Sequence, residues 1–548
     1  MKAALIQLNP KVGDIGGNVR KILRAVLRAA DLGAELAIAP ELAVTGYPPR
    51  DLLLYPGFAR EAEKAAETLA REIESTGVTV IAGSVGRNHG KGRPLFNRAL
   101  VLEKGTIARS YAKRLLPTYD VFDEARYFEP GKNHLVFKIG GLLAAVTVCE
   151  DIWNDEAFWP RPHYELDPLE DHPPFDLLVN ISASPFSVGK QALREEMLKA
   201  LARKHSAQVL YVNQVGANDE IIFDGRSSHF GADGGLLSRA RAFEEDVLVV
   251  DLDNPQGSTA PDDFSPESET HRALELGVRD YCHKNGISTV VLGLSGGIDS
   301  AVTAVVAKGA VGADNVHGLI MPSPYSSAHS VKDAADLARN LEISLLDEIE
   351  IREAMAAFAK MLKPVFKDLP PDSAEENIQA RIRGILLMGV ANKFGRMLLT
   401  TGNKSEISVG YCTIYGDMCG ALAVIGDLYK TEVFNLARFL NQDGILIPEN
   451  TLSKPPSAEL KPGQTDQDNL PPYELLDAIL KELLEKRLTP DELVQSGRFG
   501  EETVRQVSRL VKAAEFKRRQ AAPVLKITSQ AFGVGWRMPV AARSVFGN

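Results

Sequence analysis

The chain has 548 residues, 45% hydrophobic and 24% charged, with 62 basic against 72 acidic side chains and a formal net charge of −10. That length exceeds one compact core and predicts two or three domains. An acidic balance without a basic domain argues against a nucleic-acid partner, and the lack of a long apolar stretch argues against a membrane role.

The N-terminal run Met1 to Ile6 is short and ends at Gln7, Asn9 and Pro10 with no leader-type cleavage site, so a cytoplasmic protein is expected. Apolar runs at 3–8, 36–39, 78–82, 142–148, 177–181, 209–212 and 247–252 read as buried strands. Helical patterns at 19–32 and 191–204 are interleaved with them, which makes this half α/β. Glu41 follows the run 36–39, and Cys149 ends the run 142–148 in Cys149-Glu150-Asp151-Ile152-Trp153. A thiol beside two acids has a raised pKa unless a cation compensates. Lys113, ahead of Leu115-Leu116-Pro117, can supply that cation, and Glu41 can take the thiol proton.

Residues 253–266 lose apolar periodicity and collect Pro, Gly, Ser and Asp, which predicts a linker between domains at 1–252 and 267–548. Beyond it come helix 267–285, strand 289–294, helix 299–308, strand 316–321, helix 328–341 and strand 343–349. Such β-α-β repetition implies a parallel sheet with ligands at the carboxyl ends of its strands. Ser295-Gly296-Gly297-Ile298-Asp299-Ser300 lies at one such end. The backbone N–H groups of Gly296, Gly297 and Ile298 are expected to form a nest for a polyphosphate, and Asp299 offers a hard oxygen to Mg²⁺. No lysine of the Walker type follows. The four cysteines, at 149, 282, 412 and 419, form no Cys-x-x-Cys pair, so neither a structural zinc site nor a disulfide framework is expected. Cys282, Cys412 and Cys419 read as packing. Residues 453–472, rich in Pro, Gln and Asp, are either a disordered loop or a mobile lid, and helical periodicity returns over 472–520.

Pro40-Glu41-Leu42, Lys113 before Leu-Pro, Phe128-Glu129-Pro130-Gly131 and the strand ending in Cys149-Glu150-Asp151 together resemble the nitrilase superfamily over most of 1–255. The resemblance implies an α-β-β-α sandwich in which Cys149 attacks an amide carbon, Glu41 is general base and Lys113 stabilises the oxyanion. Glu124 falls where many members place a second glutamate. Ser295 to Ser300 resembles the signature of the N-type ATP pyrophosphatases, with a Rossmann-like parallel sheet. Joined in one chain, the halves resemble the glutamine-dependent NAD synthetase family almost end to end.

That resemblance implies ammonia released from L-glutamine, ATP and deamido-NAD as substrates, an adenylated intermediate, Mg²⁺ as cofactor and a homo-oligomer. Tyr119, Phe122, Glu124, Ser184 and Lys190 then fall at glutamine-pocket positions, Lys190 standing where some relatives carry arginine. Gly293, Leu294, Ser295, Gly296, Gly297, Ile298, Asp299, Ser300, Thr401 and Lys430 fall at ATP positions. Asn377, Arg381, Glu406 and Lys517 fall at deamido-NAD positions, with Asp299 and Glu406 as metal ligands. The family also has a loop that orders over the second site, which favours the lid reading of 453–472. Related amidotransferases fit less well: asparagine synthetases need an N-terminal cysteine where this chain has Lys2, and GMP synthetases need a Gly-x-Cys-x-Gly turn where it has Val148-Cys149-Glu150. A hydrolase with a merely nucleotide-sensing second half does not need Asp299, Glu406 and Lys430 together.

Overall fold

The structure is a computed structural model that describes residues 1–546 except 256, 368, 462 and 544. Gln256 of the predicted linker, Pro462 of the polar segment, and positions 368, 544, 547 and 548 of the predicted second domain lie outside the described residues. The chain divides into two compact units, Met1–Phe264 and Ser265–Asn548.

The first unit begins with β1 (Lys2–Gln7), α1 (Ile15–Asp31), β2 (Leu36–Ile38), α2 (Pro56–Ile73), β3 (Thr79–Arg87), β4 (Leu95–Glu103) and β5 (Thr106–Ala112). It continues with β6 (Val136–Ile139), β7 (Leu142–Val148), β8 (Leu177–Ser182), α3 (Lys190–His205), β9 (Gln208–Asn213), β10 (Val215–Asn218) and β11 (Ile221–Asp224). It closes with β12 (Ser228–Phe230), β13 (Leu236–Arg239), β14 (Asp246–Asp251) and β15 (Ser258–Thr259). One sheet runs β14-β1-β2-β3-β4-β5 and the other β15-β13-β12-β9-β8-β7-β6. Their inner faces meet in a single apolar layer, with Leu5, Ile38 and Val101 from one sheet against Val146, Val179 and Val212 from the other. Outside, α1 and α2 cover the first sheet and α3 covers the second, which completes the expected α-β-β-α sandwich. Strands covered on both faces have no polar alternation, which is why β1, β8 and β9 stand out in the sequence as unbroken apolar runs. α1 buries Ile15, Val19, Ile22, Val26 and Ala29 at helical spacing and is capped by Asp14, whose side chain accepts from the Gly17 N–H.

The stretch predicted as a linker mostly belongs to this unit. β15 pairs in parallel with β13, Ser238 opposite Ser258, and Asp262 forms an ion pair of 2.7 Å with the buried Arg226. A two-residue edge strand is held by backbone groups alone, so it leaves no apolar periodicity to read.

The second unit starts with α4 (Pro266–Lys284), β16 (Val290–Gly293), α5 (Ile298–Val311), β17 (Val316–Ile320), α6 (Ala328–Asn340) and β18 (Leu345–Glu348). α7 (Arg352–Phe366), α8 (Ser373–Phe394), β19 (Met397–Thr400), α9 (Lys404–Val409), β20 (Leu422–Ala423) and α10 (Lys430–Leu440) follow. All strand pairs are parallel in the order β18-β17-β16-β19-β20. The chain therefore steps outward one way from β16 and returns to its other side at β19, which opens a crevice between those two strand ends. Helices Tyr473–Leu484 and Glu501–Ala513 form a separate core with α9 around Leu476, Leu480, Val504 and Val507.

Candidate active sites

In the first unit, the three expected catalytic side chains leave the carboxyl ends of strands in both sheets: Glu41 after β2, Lys113 after β5 and Cys149 after β7. The Lys113 ammonium lies 2.8 Å from Glu41 Oε1 and 2.8 Å from Glu124 Oε1, with both lysine and Glu41 side chains wholly buried. Asn97 donates to Glu41 Oε1 at 2.7 Å, the Ala183 N–H donates to Glu41 Oε2 at 2.9 Å, and the Tyr47 hydroxyl donates to Glu124 Oε1 at 2.8 Å. Burial disfavours the Lys113 charge, but Glu124 and Glu41 outweigh it and hold the ammonium well above its ordinary range. Burial lifts the Glu124 carboxyl to about 7 against the pull of Lys113. Cys149 is 4% exposed, and burial with the Glu41 charge pushes its thiol well up, Lys113 opposing. Its backbone has φ +45°, the left-handed region that costs a non-glycine residue energy and is retained where geometry matters more.

Two further residues shape this site. Gly83 of β3 sits so close to 40–42 that a Cβ there meets Pro40 O at 2.4 Å and Glu41 C at 2.6 Å. Asp151 is fully buried and accepts from Val148 N, Arg114 N, Leu115 N and the Tyr111 hydroxyl at 2.9–3.0 Å. A glycine at a strand crossing gives a weak signal in one sequence, and Asp151 reads there only as part of the acidic pair after the cysteine.

Of the expected glutamine-pocket residues, Tyr119 meets Glu150 directly. Tyr119 donates to its carboxylate at 2.9 Å and Tyr164, absent from the sequence reading, at 3.1 Å. Tyr119 also stacks on His163, ring centroids 5.4 Å apart, and packs edge-on against Phe122. Ser184 is buried with its N–H on Asn213 Oδ1. The Lys190 ammonium bonds Pro185 O at 2.9 Å and lies 5.4 Å over the Trp153 ring.

In the second unit, a cavity of about 300 Å³ fills the crevice between β16 and β19. Gly293, Leu294, Ser295, Gly297 and Ile298 line it, as do Asp299, Ser300, Thr401, Glu406 and Lys430. The Lys430 ammonium pairs with both Asp299 and Glu406, and Asn403 donates to Asp299 Oδ1 at 3.0 Å. Burial raises the Glu406 carboxyl to about 8, Lys430 opposing and Asp299 adding to it. The loop differs from the expected nest, because Ser295 Oγ takes the Gly297 N–H at 3.2 Å and the Ser295 and Ser300 hydroxyls lie 3.1 Å apart. Gly296, at φ +73°, is outside the lining and packs under the loop, where a Cβ meets Ser330 O at 2.2 Å.

Asn377, Arg381 and Lys517 lie outside this lining and gather instead on 410–414. Asn377 Oδ1 accepts from Thr413, Arg381 donates to Ile414 O at 3.2 Å, and Lys517 bonds Gly410 O and Cys412 O. Arg383, from the same helix, lines the cavity and donates to Met321 O. The polar segment lies along the cavity from Lys454 to Leu460. Glu459 there accepts from the Ser327 and Ser330 hydroxyls at 3.0 and 2.6 Å, and Gln379 holds Leu460 O at 2.8 Å. Among the described residues, no group of three or more His, Cys, Asp or Glu is placed to hold a metal, and no helix is long and apolar enough to cross a membrane.

Apparatus for attacking an amide in one unit and a switch-point cavity for a nucleotide in the other define a ligase that takes its nitrogen from an amide. The carbon-nitrogen hydrolase family matches residues 2–261, and the NAD synthase family matches 270–521. A glutamine-dependent NAD(+) synthetase of Synechocystis sp. is 48% identical, covering 98% of each chain. That of Thermotoga maritima is 42% identical over 99% of each. The solved glutamine-dependent NAD+ synthetase of Acinetobacter baumannii, in complex with adenosine diphosphate, superimposes with a TM-score of 0.77 at 37% identity over 98% of each chain. The chain belongs to the glutamine-dependent NAD(+) synthetase family.

Proposed function

We propose that the first unit hydrolyses L-glutamine and that the second uses the ammonia, with ATP, to convert deamido-NAD to NAD. The observation that carries this reading is the Lys113 ammonium clamped between Glu41 and Glu124 next to Cys149, within a chain whose family makes NAD. Cys149 Sγ attacks the glutamine amide carbon as its proton passes to Glu41, and the amide oxygen gains the negative charge that Lys113 stabilises. Collapse breaks the C–N bond, the nitrogen leaves as ammonia with the proton from Glu41, and a thioester remains. Water, deprotonated by Glu41, then releases glutamate and restores the thiol. Glu124 keeps Lys113 protonated and aimed. Tyr119, Phe122, Glu150, Ser184 and Lys190 surround the rest of the substrate.

In the second unit the nicotinate carboxylate of deamido-NAD attacks the α-phosphorus of ATP, and pyrophosphate leaves. Ammonia then attacks the acyl carbon of the adenylate and expels AMP. The loop 295–300 and Lys430 hold phosphate oxygens, with Thr401 near the nucleotide. Two carboxylates converging on one ammonium suit Mg²⁺, which takes one or two carboxylates and completes its shell with water and phosphate. Asp299 and Glu406 would hold it, and when bound it neutralises charge on the phosphates. Asn377, Arg381 and Lys517 shape the 410–414 wall against which deamido-NAD is placed.

The test is pyrophosphate and AMP release with ATP and deamido-NAD, nitrogen being supplied as glutamine or as ammonium chloride. Both donors should yield NAD with one AMP each. Pyrophosphate release that ignores deamido-NAD overturns the reading.

A further inference from the structure

The three catalytic side chains do not share a scaffold. Glu41 and Lys113 leave strands of the first sheet, β2 and β5, whereas Cys149 leaves β7 of the second. The sheets meet through apolar side chains, which resist separation but restrain sliding poorly because dispersion contacts have little directionality. A displacement of about 1 Å between nucleophile and charge costs on the order of 10²-fold in rate, so directional ties across the layer are needed. Glu41 supplies one of them, accepting the Ala183 N–H just beyond β8.

Asp151 supplies another, at the catalytic end of the strands. Its Oδ1 accepts the two backbone N–H groups that follow Lys113, from Arg114 at 3.0 Å and Leu115 at 2.9 Å. Its Oδ2 accepts the backbone N–H that precedes Cys149, from Val148 at 3.0 Å, and the Tyr111 hydroxyl at 2.9 Å. One carboxylate thus holds the peptide after the lysine and the peptide before the nucleophile. We propose that Asp151 is a positioning residue for amide hydrolysis, a cross-sheet clamp that fixes the Lys113 ammonium relative to Cys149 Sγ without touching substrate. The inference rests on the reading of Cys149 and Lys113 as nucleophile and oxyanion stabiliser. A carboxylate fits these partners and an amide does not: backbone N–H groups donate to both oxygens, Arg114 and Leu115 to one and Val148 to the other, so an amide N–H₂ faces a donor either way. Burial pushes the Asp151 carboxyl up to about 6, with the Leu115 and Val148 N–H groups pulling it back.

The test uses the full-length enzyme carrying Asp151→Asn, and separately Tyr111→Phe, which removes one hydroxyl and leaves the two backbone ties after Lys113. Asp151→Asn should lower kcat for glutamine hydrolysis by about 10²-fold, with KM for glutamine moved less than about threefold. NAD formation from ammonium chloride should persist. Alkylation of Cys149 by iodoacetamide should show its rate-versus-pH curve displaced upward, because the thiolate faces Lys113, Glu41, Glu124 and Glu150 and loses the aligned cation. Tyr111→Phe should give the same pattern at a loss of about fivefold, one neutral-donor bond being removed. An Asp151→Asn enzyme with unchanged kcat, or with a lowered kcat and an unshifted alkylation curve, overturns the proposal. If Asp151→Asn loses ammonia-driven activity too, Tyr111→Phe decides: a selective fall in kcat with a shifted curve supports the clamp, and wild-type behaviour refutes it. Cys149→Ala separates the two claims, since its failure to stop glutamine hydrolysis would remove the underlying reading rather than the clamp.

Discussion

The two units solve opposite electrostatic problems. In the first, an ammonium and two carboxylates are fully assembled and buried, with Lys113 and Glu41 side chains at 0% exposure. In the second, Asp299 and Glu406 keep 18% and 16% of their side-chain surface in a cavity where they share the buried Lys430 ammonium. A neutral amide brings no charge of its own, so the protein must fix in advance the cation that will meet the oxyanion. A polyphosphate arrives with charge of its own, so the protein supplies a partly charged frame that the substrate completes.

That contrast is open to attack, most forcefully at the nucleophile. Cys149→Ala should cut glutamine-driven NAD formation by about 10⁴-fold or more while ammonium-driven formation stays within about twofold. Parallel loss with both donors would mean that the units are not chemically separate. Asp299→Asn should reverse the pattern, with pyrophosphate release falling by about 10²–10³-fold whichever donor is used and glutamine hydrolysis persisting. A smaller effect is expected at Glu124. Its carboxyl is raised to about 7, so falling pH neutralises it and weakens its hold on Lys113. Glutamine hydrolysis in the wild type should therefore rise with pH through about 7. Glu124→Gln should cost about 10–10²-fold and erase that limb, and a variant whose limb overlays the wild type's would show that another group titrates. The mildest change is Glu459→Ala, which frees the polar segment from Ser327 and Ser330. Losing about 1 kcal/mol of latch should raise the ratio of AMP to NAD by about fivefold through hydrolysis of the adenylate. An unchanged ratio would make the segment a wall rather than a cover.

Legibility in the sequence followed the physics of each feature. β7 and β8, buried on both faces, and the turn 295–300 between strand and helix were readable because each imposes a local pattern. β4, β5 and the hairpin β10–β11 carry polar and charged residues on one face or sit in short segments, so they escaped. Glu41, Lys113 and Cys149 were singled out through flanking residues that belong to strand ends. Asp151, Asn97 and Asn403 were not, because their importance lies in partners distant in sequence, such as Asn403 with Asp299. Gly296 also lets the loop pack on Ser330, a close approach that its position in the motif does not reveal.

Gly83 carries a consequence for how this chain can vary. The Glu41 backbone is located by a hydrogen where any other residue places a Cβ 2.6 Å from the Glu41 carbonyl carbon. The nearest obstacles are main-chain atoms, which no rotamer change can clear. A search for tolerated substitutions should therefore find position 83 as intolerant as the catalytic positions themselves, although it holds no reactive atom. Relaxed selection on the glutaminase should register there as early as at the nucleophile.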